Sequence, residues 1–312
     1  MATSGSVDHS VSRDNIISDA LMMVGAIGPD DPAPATWVTQ ASRFLNNILK
    51  SWHGLGVSLW AQKTGYILPI TDTNSILLGP SGGAATSTYV QTTLSAAAST
   101  GASTLTVTLA TGIAASYYIG IELDDDTIHW TTVNGALSGT VVTLTAVLPS
   151  GATSGNYVYA YQTKIQRPIH LLDAYLHNQT SGMDSQIEVV AKSQYDLYSS
   201  KTSVGVPNQI SYDPQLTNGV AYIAPQFTDG RQIITIIFQR PFEDFDTSGD
   251  TPDFPQSMYD AATMALAVRL APIYGMPAQD RAVLRQEAKE ALTLALESDM
   301  EDGSFQIIPD TR

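Results

Sequence analysis

Residues 104–109 read Thr-Leu-Thr-Val-Thr-Leu. Apolar and small polar side chains alternate with a period of two, the pattern of a strand with one buried and one wet face. The rhythm recurs at Ile119, Ile121 and Leu123, at Ile128 and Trp130, at Val142, Leu144 and Ala146, and at Val158 and Ala160. Between these runs lie Asp124-Asp-Asp126, Asn134-Gly135, Ser138-Gly139 and Ser150-Gly151, all of them turn chemistry. Short strands with closely spaced turns predict a small all-β module, a sandwich or barrel, over residues 80–160. The run 79–87, Gly-Pro-Ser-Gly-Gly-Ala-Ala-Thr-Ser, reads as a flexible hinge. Through it the module enters as an insertion in a larger fold.

Near both ends of the chain the period changes to that of a helix. Ile16, Ile17, Ala20, Leu21 and Val24 form one stripe, with Ser12 as N-cap and Gly25 as stop. Val38, Ala41, Phe44, Leu45, Ile48, Leu49 and Trp52 mark a second helix over 34–52, and the short connection makes the two an antiparallel pair. After the module, strands are expected at 187–191, 210–212, 220–223 and 233–238. Ser193-x-x-Asp196 resembles a capping box that opens a short helix to about 200. Pro255 opens a third long helix that Pro272 ends, and Pro277 opens the last, to about 298. The expected fold class is α+β. A helical core with antiparallel β elements, residues 1–79 with 161–298, carries the inserted β module 80–160 and is followed by a polar tail, 299–312.

Composition narrows the function. The 312 residues hold 15 Lys+Arg against 30 Asp+Glu, a net charge of −15, so a broad basic face for nucleic acid is not expected. There is no cysteine, hence no disulfide, thiolate metal site or cysteine nucleophile. The longest apolar runs fall far short of the roughly 20 residues that span a bilayer. No cationic region precedes the first of them, so synthesis in the cytoplasm without a signal peptide is expected.

Catalytic patterns are weak. Gly79-Pro-Ser-Gly-Gly83 matches the spacing of a nucleophile elbow, yet the sequence after it reads as linker and strand where the elbow needs a helix. Asp124, Asp125 and Asp126 could offer oxygens to calcium, but the alternating spacing of an EF-hand loop is missing and a hairpin turn is the plainer reading. Glu287 and Glu290 share one face of the last helix, as solvated helices commonly do. The five histidines, His9, His53, His129, His170 and His177, lack zinc-ligand spacing, and no phosphate-binding glycine motif occurs. The expectation is therefore a protein that is not an enzyme and uses no cofactor or metal.

What remains is architecture, and a resemblance carried by phrases in a fixed order. Ala20-Leu-Met-Met-Val-Gly25 is followed by Phe44-Leu-Asn-Asn-Ile-Leu-Lys-Ser-Trp52. Then come Arg167-Pro168, Gly205-Val-Pro-Asn208, Tyr212-Asp-Pro214, Arg240-Pro-Phe-Glu-Asp-Phe245, Pro252-Asp-Phe-Pro255 and Leu270-Ala-Pro-Ile-Tyr-Gly275. Together they resemble the head-to-tail adaptors, or packaged-DNA-stabilisation proteins, of short-tailed bacteriophages, here with an extra β insertion. The resemblance implies a virion protein at the head–tail junction. Such a protein forms a ring, a dodecamer in the family, that binds the portal protein after packaging, retains the genome and receives the downstream tail (nozzle) protein. It also implies that Phe305, Ile307 and Ile308 in the tail contact the portal, and that DNA passes the lumen without specific binding. An acidic wall suits that passage, because it repels phosphates. No membrane partner is expected. The alternative is a tail component that binds host-surface glycans through the β module, with Trp130, Tyr117, Tyr118, Tyr157 and Tyr159 as stacking faces. Core and sheet-face aromatics are the plainer reading of the same residues.

Overall fold

The computed structural model describes residues 5–6, 8–55, 59–71 and 73–299. Helix α1 (Arg13–Met23) begins where Ser12 accepts a hydrogen bond from the Asn15 amide at 3.2 Å, and it stops before Gly25, whose φ of +68° no β-branched residue would tolerate. Helix α2 (Ala35–Trp52) follows Pro34, with its stripe of Ala41, Leu45, Ile48, Leu49 and Trp52 buried. Strands β1 (Gln62–Ile67), β2 (Ser75–Leu78) and β3 (Ala85–Thr86) come next, then β4 (Val90–Thr93), β5 (Thr104–Thr106), β6 (Tyr118–Glu122), β7 (Ile128–Thr132), β8 (Val141–Thr143) and β9 (Tyr157–Tyr161). The chain continues through β10 (His170–Asn178), β11 (Met183–Val189), the short helix α3 (Lys192–Asp196), β12 (Gln209–Asp213), β13 (Gly219–Ala224) and β14 (Gln232–Gln239). Helices α4 (Tyr259–Leu270) and α5 (Ala278–Glu297) complete the described elements. The chain divides into two units, Met1–Gln62 with Pro241–Arg312, and Lys63–Arg240.

The first unit is helical. Helix α4 packs against α1, α2 and α5, and its buried Ala261, Ala262 and Ala267 beside Leu266 and Leu270 let backbones approach closely. The segment before α4 supplies the buried rings of Phe242, Phe245 and Phe254. Helix α2 holds that segment with three side chains spaced along one face. The Asn46 amide donates to Phe245 O at 3.1 Å and accepts from its N–H at 3.0 Å, Lys50 donates to Phe242 O at 2.6 Å, and His53 Nε2 accepts from the Phe242 N–H at 3.0 Å. Two of the phrases that carry the adaptor resemblance thus bind one another.

The second unit corrects the expected fold class. The chain is α+β, but mostly β, and residues 63–79 and 161–240 do not join a helical core. Together with β3, which lies inside the expected module 80–160, they form an eight-stranded sheet in the order β2-β13-β12-β11-β10-β14-β1-β3. Its two edge strands are consecutive in sequence, which leaves the sheet a nearly closed barrel. The described pairings within it are antiparallel except β11 with β12. Ile67, Ile76, Ala174, Ile187, Ile210, Ile223, Ile236 and Phe238, from seven of the strands, meet in one buried cluster inside.

Residues within 80–160 form a two-sheet sandwich. One sheet runs β4-β9-β6-β7 and the other pairs β5 with β8. Leu105, Ile119, Ile121, Val142, Leu144, Val158 and Ala160 fill the space between them, the residues whose alternation marks the strands in the sequence. The run 79–87 is built into the fold: Gly79 and Gly82 make a tight turn out of β2, and β3 closes against β1. Two further expectations change. Helix α3 starts at Lys192 after Ala191, with no side-chain cap, so Ser193 lies inside it and caps nothing. Pro255 is followed by a short 3-10 turn, Gln256–Met258, before α4 begins.

Candidate functional site

The sandwich turns its second face toward the barrel. In β9, Val158 and Ala160 point into the sandwich, so Tyr157, Tyr159 and Tyr161 point the other way. They pack with Ile128, Tyr118 and Trp130 of the same sheet against Leu68, Ala84, Ile233, Tyr66 and Tyr89. This junction explains why β14 is buried on both faces: Ile234, Ile236 and Phe238 face the barrel core, and Ile233 faces the tyrosines.

Polar bonds seal the junction. The Tyr159 hydroxyl donates to Gly230 O at 2.9 Å and the Trp130 indole N–H to Pro69 O at 2.9 Å. Arg231 pairs with Glu122 at 2.6 Å, and the Gln91 amide donates to Gln179 at 3.0 Å. Burial holds the hydroxyls of Tyr159 and Tyr161 far above the ordinary range for a phenol. At one edge the seal is open. There a cleft of about 430 Å³ is walled by Tyr118, Trp130 and Tyr161, with Thr131, Thr132 and Lys164 at its polar side. Tyr118 and Tyr161 stack at 5.0 Å, and the Lys164 ammonium lies 4.9 Å over the Tyr118 ring while donating to Gly82 O at 2.5 Å.

The residues named from sequence distribute as follows. Of the five candidate stacking aromatics, Tyr159 is wholly buried and Tyr157 stacks beside it at 6.2 Å. Tyr117 lies on the opposite, sandwich side, and only Trp130 and Tyr118 flank the cleft. Sequence reasoning missed Tyr161 and Lys164. The Tyr-x-Tyr-x-Tyr spacing of 157–161 is a legible signal for the first, whereas nothing in sequence marks a lone lysine. Phe305, Ile307 and Ile308 lie outside the described residues.

The chemical candidates resolve into local structure. Ser81 sits in the turn after β2, where its hydroxyl accepts from the Asn218 amide at 2.7 Å and no helix follows. Asp125 caps the β6–β7 hairpin by accepting from the Thr127 N–H at 3.1 Å and hydroxyl at 2.5 Å, bonds that hold its carboxyl below the usual range. Asp124 accepts from Thr153 and Asn156, and Asp126 takes the left-handed conformation of the turn at φ 62°. Glu287 and Glu290 are exposed on α5, with Glu290 bonded to Gln286. His177 pairs with Asp184 across β10 and β11 at 2.6 Å. Among the described residues no group of His, Asp and Glu converges as a metal site would, and no helix is long and apolar enough to cross a membrane.

In the first unit one helix leaves apolar side chains exposed. Helix α5 has 20 residues but buries only Leu284 and Ala295, and it leaves Val283 and Leu294 55% and 68% exposed. A groove of about 330 Å³ beside Leu294 is lined by Gln286, Lys289, Glu290, Thr293 and Glu297.

No known protein family matches the chain, and no curated protein does. Two solved structures show slight likeness. The Gp54 tailspike of Acinetobacter baumannii bacteriophage AP22, in complex with A. baumannii capsular saccharide, aligns with 26% of this chain at 15% identity and a TM-score of 0.23. The alignment spans 16% of the tailspike's own length. VP17, a capsid protein of bacteriophage P23-77, aligns with 61% of this chain and 77% of its own at 11% identity and a TM-score of 0.13. Likenesses of this extent fall short of a common fold.

Proposed function

We propose that the chain is a structural protein of a phage virion, a head-to-tail adaptor that assembles as a ring on the portal vertex, retains the packaged genome and receives the tail. The observation that carries this reading is α5. This 20-residue helix packs on α4 through Leu284, Ala291, Leu292 and Ala295 but leaves Val283 and Leu294 exposed, apolar side chains that a neighbouring copy would cover. It leads directly into the segment holding Phe305, Ile307 and Ile308, which the resemblance assigns to the portal. The ordered phrases support the same reading: those at 20–25, 44–52, 252–255 and 270–275, and 240–245 from Pro241 on, fall in the helical unit, whereas those at 167–168, 205–208 and 212–214 fall in the β unit. The net charge of −15 agrees with a lumen through which DNA slides.

The test is assembly. Purified protein mixed with portal rings should add a ring visible by negative-stain microscopy. A variant lacking residues 300–312 should fold, as judged by circular dichroism, yet leave the portals bare. Decoration by the truncated chain would refute the docking role of the tail, and no decoration by the full chain would refute the adaptor.

A further inference from the structure

The open edge of the sandwich–barrel junction is shaped to hold a ligand, and its walls state the chemistry. Trp130 is fixed because its N–H is donated to Pro69 O at 2.9 Å, and Tyr161 lies edge-on to it at 5.7 Å. Tyr118 is stacked on Tyr161. Trp130 and Tyr118 are therefore held in place before any ligand arrives, with the buried Tyr161 behind them, so their ordering cost is met by folding. Trp130 and Tyr118 are half-buried: Tyr161 and Lys164 flank the Tyr118 ring and Gly120 lies against the Trp130 ring, so the aromatic surface left to the cleft is chiefly the exposed part of Trp130. An aromatic face is electron-rich and attracts the partially positive C–H bonds of a saturated ring. At the polar side Thr132 Oγ1 pairs with Thr145 Oγ1 at 2.8 Å, Thr131 Oγ1 accepts from the Ala146 N–H at 3.0 Å, and the Gly82 and Gly83 N–H groups bond Gly79 O and Leu77 O, so what remains there for a sugar hydroxyl is acceptor capacity on the oxygens.

Charge makes the ligand more specific. The chain has twice as many acidic as basic residues, yet the lining of this cleft contains one cation, Lys164, and no carboxylate. Among the described residues no carboxylate pairs with Lys164. Its ammonium is half-buried, spends one donor on Gly82 O and rests over Tyr118, which leaves capacity for an anion. A single cation suits one carboxylate better than a phosphate chain. The volume of about 430 Å³ lies within the range of small-ligand pockets. From this geometry we infer that the cleft between Trp130, Tyr118 and Lys164 binds an acidic saccharide, the sugar ring stacked on the aromatic wall and its carboxylate on Lys164.

The test uses the full chain, because the tyrosine junction makes the sandwich part of the barrel's own core. The protein is applied to an array of glucuronic-acid- and sialic-acid-terminated oligosaccharides with glucose- and galactose-terminated counterparts. Any sugar retained is then titrated calorimetrically. Retention of acidic members over neutral ones is expected. Lys164→Gln should weaken it about tenfold, the factor of one lost charge-assisted hydrogen bond, and Trp130→Ala should abolish it. Should Trp130→Ala fail to fold, Lys164→Gln alone decides. Retention of no saccharide, equal retention of acidic and neutral ones, or affinity indifferent to Lys164→Gln each overturns the inference.

Discussion

Arg231 Nε donates to Glu122 Oε1 at 2.6 Å, and the carboxylate it reaches is 1% exposed. The other oxygen of Glu122 accepts from the Tyr157 N–H at 2.8 Å. Glu122 belongs to the sandwich strand β6 and Arg231 to the turn before β14, so one ion pair ties the two halves of the β unit. Removing Arg231 strands a buried charge with a single remaining partner. Arg231→Met should therefore destabilise the protein by about 1–3 kcal/mol, the cost of a buried charged acceptor losing its donor. Adding Glu122→Gln should recover part of that loss, since a neutral amide needs no counter-charge. Urea midpoints of the single and double variants measure both.

Tyr159 and Tyr161 give the junction a pH signature. Burial, above all, holds both hydroxyls far above the ordinary phenol value, and it pushes Tyr212 up to about 12 although Arg167 opposes the shift. Above the ordinary tyrosine range, near 10, the unfolded chain loses these protons while the folded chain keeps them. Stability must then fall as pH rises, because the unfolded state binds fewer protons. Absorbance titration should show these tyrosines ionising only with alkaline unfolding, and Tyr159→Phe should cost about 1 kcal/mol through the lost bond to Gly230.

At the acidic side the relevant group is Asp250. Its carboxyl is held below the usual range by the Thr247 hydroxyl, then by the N–H groups of Thr247 and Asp246 at 2.7 Å each, with Arg13 nearby. The lowered value means that this stabilisation is complete above the unfolded carboxyl value, about 4, and is lost as pH falls through the folded one. Melting temperatures of the wild type and Asp250→Asn should differ by a constant amount above about pH 5 and converge below about pH 4.

What the sequence disclosed and what it hid follow from periodicity. The sandwich was legible at Leu105, Ile121, Val142 and Val158 because a face buried on one side alternates cleanly. Helices α1 and α2 were legible because their stripes are contiguous, with Ser12 capping α1 and Pro34 preceding α2. The barrel was not. Its longest strand, β10, runs nine residues through His170-Leu-Leu-Asp-Ala-Tyr-Leu-His-Asn178, and a bulge between Leu171 and Asp173 breaks the period of two. β14 is buried on both faces, so it reads as a plain apolar run. Tyr157, Tyr159 and Tyr161 were visible as aromatics, but their destination depends on which surface covers the sandwich. Such a contact between segments distant in sequence leaves no local pattern.

Gly120 shows how close that contact is. A Cβ at this position would lie 2.7 Å from the Trp130 indole ring, and the ring cannot swing away without giving up its bond to Pro69. Gly120→Ala should accordingly cost about 1–3 kcal/mol by overpacking. The same variant displaces the stacking face of the cleft. A thermal melt together with the Trp130 Nε1–H shift in the NMR spectrum would register both effects, and an unmoved indole signal would contradict the packing described here.

Helix α5 separates the demands of folding from those of assembly. Leu294 is 68% exposed and Val283 55%, so neither contributes much to the core of its own subunit. A charge at Leu294 should leave the stability of the isolated chain within about 0.5 kcal/mol, as for most surface substitutions. In a ring the same side chain would be buried against a neighbour, where an unpaired carboxylate is costly. Leu294→Glu should therefore melt like the wild type but fail to add a ring to portals. The control is Gln286→Glu, also exposed on the same helix, which adds the same charge without replacing an apolar residue, at the cost of its bond to Glu290. Loss of assembly in the first variant and not in the second ties the defect to apolar packing. A Leu294→Glu chain that still decorates portals would remove α5 from the subunit interface and, with it, the main physical support for the adaptor reading.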